Sequence, residues 1–187
     1  MTPVVVVSTS SPDASVALIV AGEVAFAEAR PSERQAGAVV LDLLRAMTER
    51  TGCALADVAA WVADEGPGSF TGTRVGVMLV KTWAFLYDRP AGVVSAFDLI
   101  DPARTVAIPN RKTDFLLRIP GHAPTVTNNL PAEVVRDADG NLPRPRAERA
   151  ASLVHNIRWT SAVALLPDYV LPPSISVPKR PQEVLPT

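Results

Sequence analysis

GPGSFTGTRVGV, running from Gly66 to Val77, places glycines and a proline between an apolar strand and a long apolar helix. Val58 to Ala63, just before it, reads as a short buried strand, and Val75 to Leu86 reads as a helix interrupted only by Gly76, Lys81 and Thr82. The chain must turn sharply at this junction, and glycine permits the positive φ and the close backbone approach that such a turn demands. Ser69 or Thr71 can cap the helix, whose free N–H groups then face an anion or an acidic group of a partner. The loop is no Walker A sequence, because the Gly-Lys-Ser/Thr ending is missing.

Upstream, Val4 to Val7 is a continuous β-branched run of the kind found in a central strand. The turn-rich Ser8 to Asp13 links it to Ser15–Val20, and Gly22-Glu23 turns the chain into Val24–Ala29. These segments predict a three-stranded antiparallel meander. A helix is expected from about Glu33 to Arg50, with Ala36, Val40, Leu43, Leu44 and Met47 on one face, Pro31 and Ser32 at its start and Gly52 past its end.

After residue 100 the texture changes, for 13 of the 18 prolines lie there. Short strands are expected at Thr105–Ile108, Phe115–Ile119, Thr125–Thr127, Val134–Val135, Ala162–Leu166 and Tyr169–Leu171, with a helix near Ala147–His155. The expected division is a first lobe over 1–97, a reduced second lobe over 98–171 and a proline-rich tail, extended or disordered, over 172–187.

The motif residues Gly66, Pro67, Gly68, Ser69, Phe70, Thr71, Gly72, Arg74 and Gly76 are similar to the hallmark of the bacterial TsaB (YeaZ) family. The opening VVVVSTSSPDASVALIVAGEV resembles that family's first hairpin, and PDYVLPPSI from Pro167 resembles, more loosely, its near-terminal strand. The resemblance implies an α/β protein with the actin-like ATPase (ribonuclease H-like) fold. It also implies a role in installing threonylcarbamoyladenosine beside the anticodon of tRNA, as non-catalytic partner of the catalytic TsaD subunit, with the ATPase TsaE joining the assembly and self-association when TsaD is absent. In that family two helices of the first lobe form the interface. Carried to this sequence, the interface falls on Val39, Val40, Leu43 and Met47, and on Val75, Met78, Leu79 and Trp83.

Composition is compatible with that role. A net charge of −1 argues against bulk electrostatic capture of nucleic acid, although the halves differ, with 7 basic against 11 acidic residues up to residue 100 and 11 against 8 beyond. Arg144, Arg146 and Arg149 fit either a solvated loop or an RNA-contacting patch. A single cysteine, Cys53, excludes an internal disulfide and reads as a small packing residue; with no secretory signal visible, a cytoplasmic location is expected. No apolar run approaches the roughly 18 to 20 residues of a membrane span.

Catalytic constellations are sparse. His122 and His155 stand outside any HxxxH or HExxH spacing, so the zinc-ligating pair of the TsaD relatives is missing and no metal site is expected. The family usually carries an aspartate at the end of the first strand, where the actin-like fold organises a nucleotide-bound metal. Here that position is Ser8, and Asp13 nearby is either a substitute or a turn former. No cofactor is thus expected on this chain alone, with ATP at most at an interface shared in the complex. The motif loop is read as structural or nucleotide-proximal. A small-molecule kinase or peptidase-like enzyme of the same superfamily, and an interaction protein unrelated to tRNA, are the alternatives. Between Val75 and Leu86 apolar side chains go nearly all the way round, leaving one polar stripe of Arg74, Lys81 and Asp88. The surplus must be covered by the neighbouring helix, the second lobe or another chain.

Overall fold

A computed structural model describes residues 2–110 and 113–167. Its main sheet has six strands in the order β3-β2-β1-β4-β5-β9. These are β1 (Val4–Ser8), β2 (Asp13–Val20), β3 (Glu23–Pro31), β4 (Ala60–Asp64), β5 (Ala91–Val94) and β9 (Arg158–Thr160). β1 pairs antiparallel with β2 and parallel with β4, so it lies inside the sheet, as its unbroken valine run predicts. Alternation then splits that run between two cores. Val5 and Val7 join Val16, Leu18, Trp61 and Ala63 on one face, while Val4 and Val6 join Ala17, Ile19, Ala60 and Val62 on the other.

Helices α1 (Ala36–Thr51) and α2 (Phe70–Leu86) cover the first face. α1 begins three residues later than expected, because Arg34 is left-handed (φ 58°), Pro31 still belongs to β3 and Gln35 at the N-cap offers no side-chain bond. It ends as expected on left-handed Gly52, whose N–H donates to the Thr48 carbonyl. α2 begins five residues earlier than its apolar pattern suggests: the Ser69 hydroxyl accepts from the Gly72 N–H, which takes the helix into the motif itself. No described helix is long and apolar enough to cross a membrane.

A second sheet, β6 (Val106–Pro109), β7 (Phe115–Arg118) and β8 (Thr125–Thr127), is an antiparallel meander with its own small core of Ala96, Phe97, Ile100, Val106, Ile108, Leu116 and Val135. The chain then returns to the first sheet. Short 3-10 turns at Ala147–Ser152 and Val154–Asn156 replace the single helix expected there, and Ala147, Ala150 and Leu153 cap the second face of the main sheet. The second unit is therefore smaller in space than the 98–171 interval expected from sequence, since 147–165 pack on the first. Val134 and Val135 are buried, but Val135 makes a single backbone bond to Thr105 rather than a strand. The strand expected at Ala162–Leu166 lies earlier, at β9. Ser161 ends it by accepting the Ala164 N–H on its own carbonyl, closing a turn. The strand expected at Tyr169–Leu171 and the tail 172–187 lie outside the described residues.

Candidate functional site

Two features stand out at the helix side of the main sheet: the motif loop and the outward face of α2. The loop is clamped to the link after β1. Ser69 N–H donates to the Ser10 carbonyl (2.7 Å), and the Thr9 hydroxyl donates to the Gly72 carbonyl (2.8 Å). A Cβ on Gly68 would stand 2.1 Å from the Ser10 carbonyl oxygen, one on Gly72 2.1 Å from that of Thr9, and one on Gly76 2.2 Å from the Thr9 hydroxyl. Of the motif glycines only Gly66 has positive φ (97°). Gly68 and Gly72 are thus demanded by close approach of the Thr9–Ser10 backbone to the helix start, and Gly76 by the Thr9 side chain, not by their dihedral angles.

Under the loop lies an aspartate that the sequence reading passed over. Asp64, at the end of β4, is 1% exposed. Its carboxylate accepts from the Ser8 hydroxyl (2.7 Å), the Ser10 hydroxyl (2.5 Å) and the Gly66 N–H (2.8 Å). Burial pushes its pKa above the ordinary carboxylate value, and the bonds from Ser10, Ser8 and Gly66 only partly oppose that. A carboxylate does stand at the end of the first strand, but it arrives from the parallel neighbour: Val7 faces Ala63, which puts Ser8 beside Asp64 one step on. That signal, a charged residue closing the apolar run AAWVAD, becomes meaningful only once the pairing is known. Asp13 does not substitute for it, because both its oxygens are engaged by arginines, Arg144 at 2.6 Å and Arg146 at 3.0 Å. Arg144 and Arg146 therefore tie the late chain to β2 rather than forming a free basic patch. Glu65 is similarly held by Arg158.

Thr9–Pro12, Ser32–Arg34, Ala36, Gly37, Pro67–Thr73 and Val75 line a cleft of about 1260 Å³, together with Ile100, Ile108–Asn110, Leu116 and Leu142–Pro145. The motif residues Pro67 to Thr71 border this cleft, while Arg74 points outward with its guanidinium over the Phe70 ring, 5.3 Å from the centroid. His122 and His155 are both exposed, and the described residues contain no cluster of three or more His, Cys, Asp or Glu able to hold a metal. Cys53 is half-buried, and burial raises its thiol pKa, as for an inert packing cysteine.

The structure divides the expected interface residues into two groups. Val40, Leu43, Met47 and Trp83 are core: the first three are fully buried, and Trp83 stacks on Trp61 at 5.2 Å. They hold α1 and α2 to the sheet and cannot meet a second chain while the fold is intact. Val39 and Leu79 are half-buried against the same core, and Val75 is half-buried. Met78 faces out at 55% exposure, together with Phe85 at 73% and Leu86 at 66%, residues the sequence reading did not select. Phe70 on α2 and Leu41 on α1 are exposed as well. The glycines could have oriented the helix: Gly72 and Gly76 mark the closely packed side, so positions 74, 78 and 85 look away from it. Met78 and Phe85 fall on one side of α2, two turns apart with Lys81 between them, and large exposed apolar patches mark interaction sites.

A family model described as TsaD, tRNA N6-adenosine threonylcarbamoyltransferase, matches residues 30–105, the interval that holds α1, β4, the motif, α2 and β5. Over 44 residues the chain is 43% identical to the tRNA threonylcarbamoyladenosine biosynthesis protein TsaB of Bacillus subtilis (strain 168), a match covering 24% of this chain and 19% of that one. The matched stretch thus spans about a fifth of that curated relative. Two solved structures share the fold over 91% of this chain and all of theirs, each at 22% identity. They are YeaZ from Pseudomonas aeruginosa, with a TM-score of 0.73, and an uncharacterized protein with similarity to peptidase YeaZ from Pseudomonas aeruginosa, with a TM-score of 0.74. The fold is the α/β, actin-like class expected from the motif.

Proposed function

We propose that this chain is a non-catalytic partner subunit in the synthesis of threonylcarbamoyladenosine on tRNA, docking a TsaD-type transferase through the outward faces of α1 and α2. The observation that carries the reading is the exposed apolar row of Met78, Phe85 and Leu86, with Leu41 on the neighbouring helix, on a segment that a TsaD family model matches. The likeness to TsaB supports the choice of a partner over the transferase itself. In this reading the protein works in the cytoplasm, pairs with itself when TsaD is absent, and reaches tRNA, TsaE and ATP only through the assembly. The enzyme alternative is disfavoured by the state of the two aspartates nearest the loop. Asp64 is sealed from the cleft and already accepts several hydrogen bonds, and Asp13 is neutralised by two guanidinium groups.

Co-purification of the tagged chain from its own cell tests the proposal: a TsaD-type protein is expected in the eluate, and depletion of the chain is expected to lower threonylcarbamoyladenosine in bulk tRNA as read by mass spectrometry. Unchanged tRNA modification and no such protein recovered would overturn it. The isolated chain is further expected to show no ATP turnover above a blank in a steady-state assay with Mg²⁺. Turnover that survives purification and disappears with Asp64→Asn or Asp13→Asn would instead point to an enzyme.

A further inference from the structure

The charges bordering the cleft beside the motif loop leave one cation over. Arg144 and Arg146 bring two guanidinium groups to the single carboxylate of Asp13, and of these Arg144 lines the cleft. Glu33 and Arg34, the other charged residues of the described lining, offset each other. Asp13 fixes the direction of Arg144 through Nη1 (2.6 Å), and the Nε and Nη2 groups have no partner among the described residues. A guanidinium held on one edge by a carboxylate is preorganised for a second one, because its fork matches a planar group with two oxygens.

The start of α2 supplies further donors to the same cleft. The Ser69 N–H is bound to the Ser10 carbonyl, so the link from Thr9 to Asp13 joins the helix start to the Arg144 site. The Thr71 N–H lies in the first turn, where no intrahelical acceptor exists, and no described residue accepts from it. Thr73 also lines the cleft; it is 2% exposed, and its hydroxyl has no partner among the described residues. A buried hydroxyl in that state carries a desolvation cost that a polar atom seated in the cleft would relieve. Ile100, Ile108, Leu116 and Pro143 make another part of the lining apolar.

We propose that the cleft binds a small carboxylic acid with an apolar body, its carboxylate on Arg144, its other polar atoms toward Thr71 and Thr73, and its apolar part against Ile108, Leu116 and Pro143. A volume of about 1260 Å³ accommodates a molecule of that kind. Charge selects against a nucleoside triphosphate, since several negative charges set against one uncompensated cation would be left unbalanced in a partly enclosed site. None of Met78, Phe85 and Leu86 lines the cleft, so binding here is independent of partner docking.

The test is amide NMR of the isotopically labelled full chain, titrated with N-acetyl-L-leucine, with its neutral counterpart N-acetyl-L-leucinamide, and with AMP. The acid is expected to shift the Gly68, Thr71 and Gly72 resonances to saturation, and the neutral amide to bind at least about tenfold more weakly, because only the carboxylate pairs with Arg144. Arg144→Gln is expected to abolish that preference, with Asp13 still paired to Arg146. Equal binding of acid and amide by the wild type would overturn the proposal without recourse to the variant, as would the absence of any saturable shift with the acid. An undiminished preference for the acid in Arg144→Gln would overturn it too. Binding of AMP as tight as that of the acid would overturn it and assign the cleft to a phosphate ligand.

Discussion

Gly68→Val and Gly72→Val are each expected to cost about 3 kcal/mol or more, because the added Cβ would stand 2.1 Å from a carbonyl oxygen of Ser10 or Thr9. Those oxygens belong to backbone that also accepts the Ser69 N–H or holds the end of β1, so the clash cannot be relieved by turning a side chain. On a chain of this size the loss corresponds to a fall in melting temperature of roughly 6 to 12 °C. Gly68→Ala and Gly72→Ala should act in the same direction, since Cβ alone makes the clash. Gly140→Ala supplies the contrast: it meets nothing within 4 Å and carries only its positive φ, at a cost of about 1 kcal/mol. Thermal unfolding followed by circular dichroism decides it. Motif variants that melt with the wild type would mean that the loop is held loosely and that its glycines serve a ligand.

Asp64→Leu is expected to be as damaging, about 3 kcal/mol or more, because it leaves the Ser8 and Ser10 hydroxyls and the Gly66 N–H without their acceptor inside the fold. Asp64→Asn should behave differently. Its carbonyl oxygen can still accept from Gly66, and its amide can donate to serine hydroxyls that rotate to accept. The folded-state pKa of Asp64 is raised, so its contribution to stability is fully present below the ordinary carboxylate value and is lost as pH rises through the raised one. The Asn variant has no such loss. Its stability relative to wild type should therefore increase with pH above about 4, a trend that denaturant titrations at several pH values would reveal. A relative stability that falls with pH would show that Asp64 is stabilised as the anion.

The main sheet was legible because its signals are local. Val4–Val7 announces a strand buried on both faces, and Ser69 and Gly52 sit at the ends of helices. What escaped depends on contacts distant in sequence. Ser8 and Asp64 are 56 positions apart, and Asp13 is joined to Arg144 across 131. Four of the eight expected interface residues were out of reach of sequence for a related reason. A helix apolar on nearly all sides does not say which side meets the sheet, so Val40, Leu43, Met47 and Trp83 were placed at an interface when they are core, while Met78 is exposed and Val39, Val75 and Leu79 are half-buried. In the second half, short proline-broken strands leave too few residues for a period to emerge, and β9 formed on Arg-Trp-Thr rather than on the more apolar run after it.

The account rests on the outward face of α1 and α2 meeting a partner, and Phe85→Glu tests it most directly. Phe85 is 73% exposed, so in the free chain a carboxylate there stays in water and stability should change by less than about 0.5 kcal/mol. In a complex the same carboxylate would be buried without a partner, at a cost of several kcal/mol. Light scattering of the chain mixed with a TsaD-type transferase from the same cell is expected to show a complex with wild type and one at least about a hundredfold weaker with Phe85→Glu, at unchanged melting temperature. Equal complex formation by both proteins, or none by the wild type at high concentration, would contradict the account.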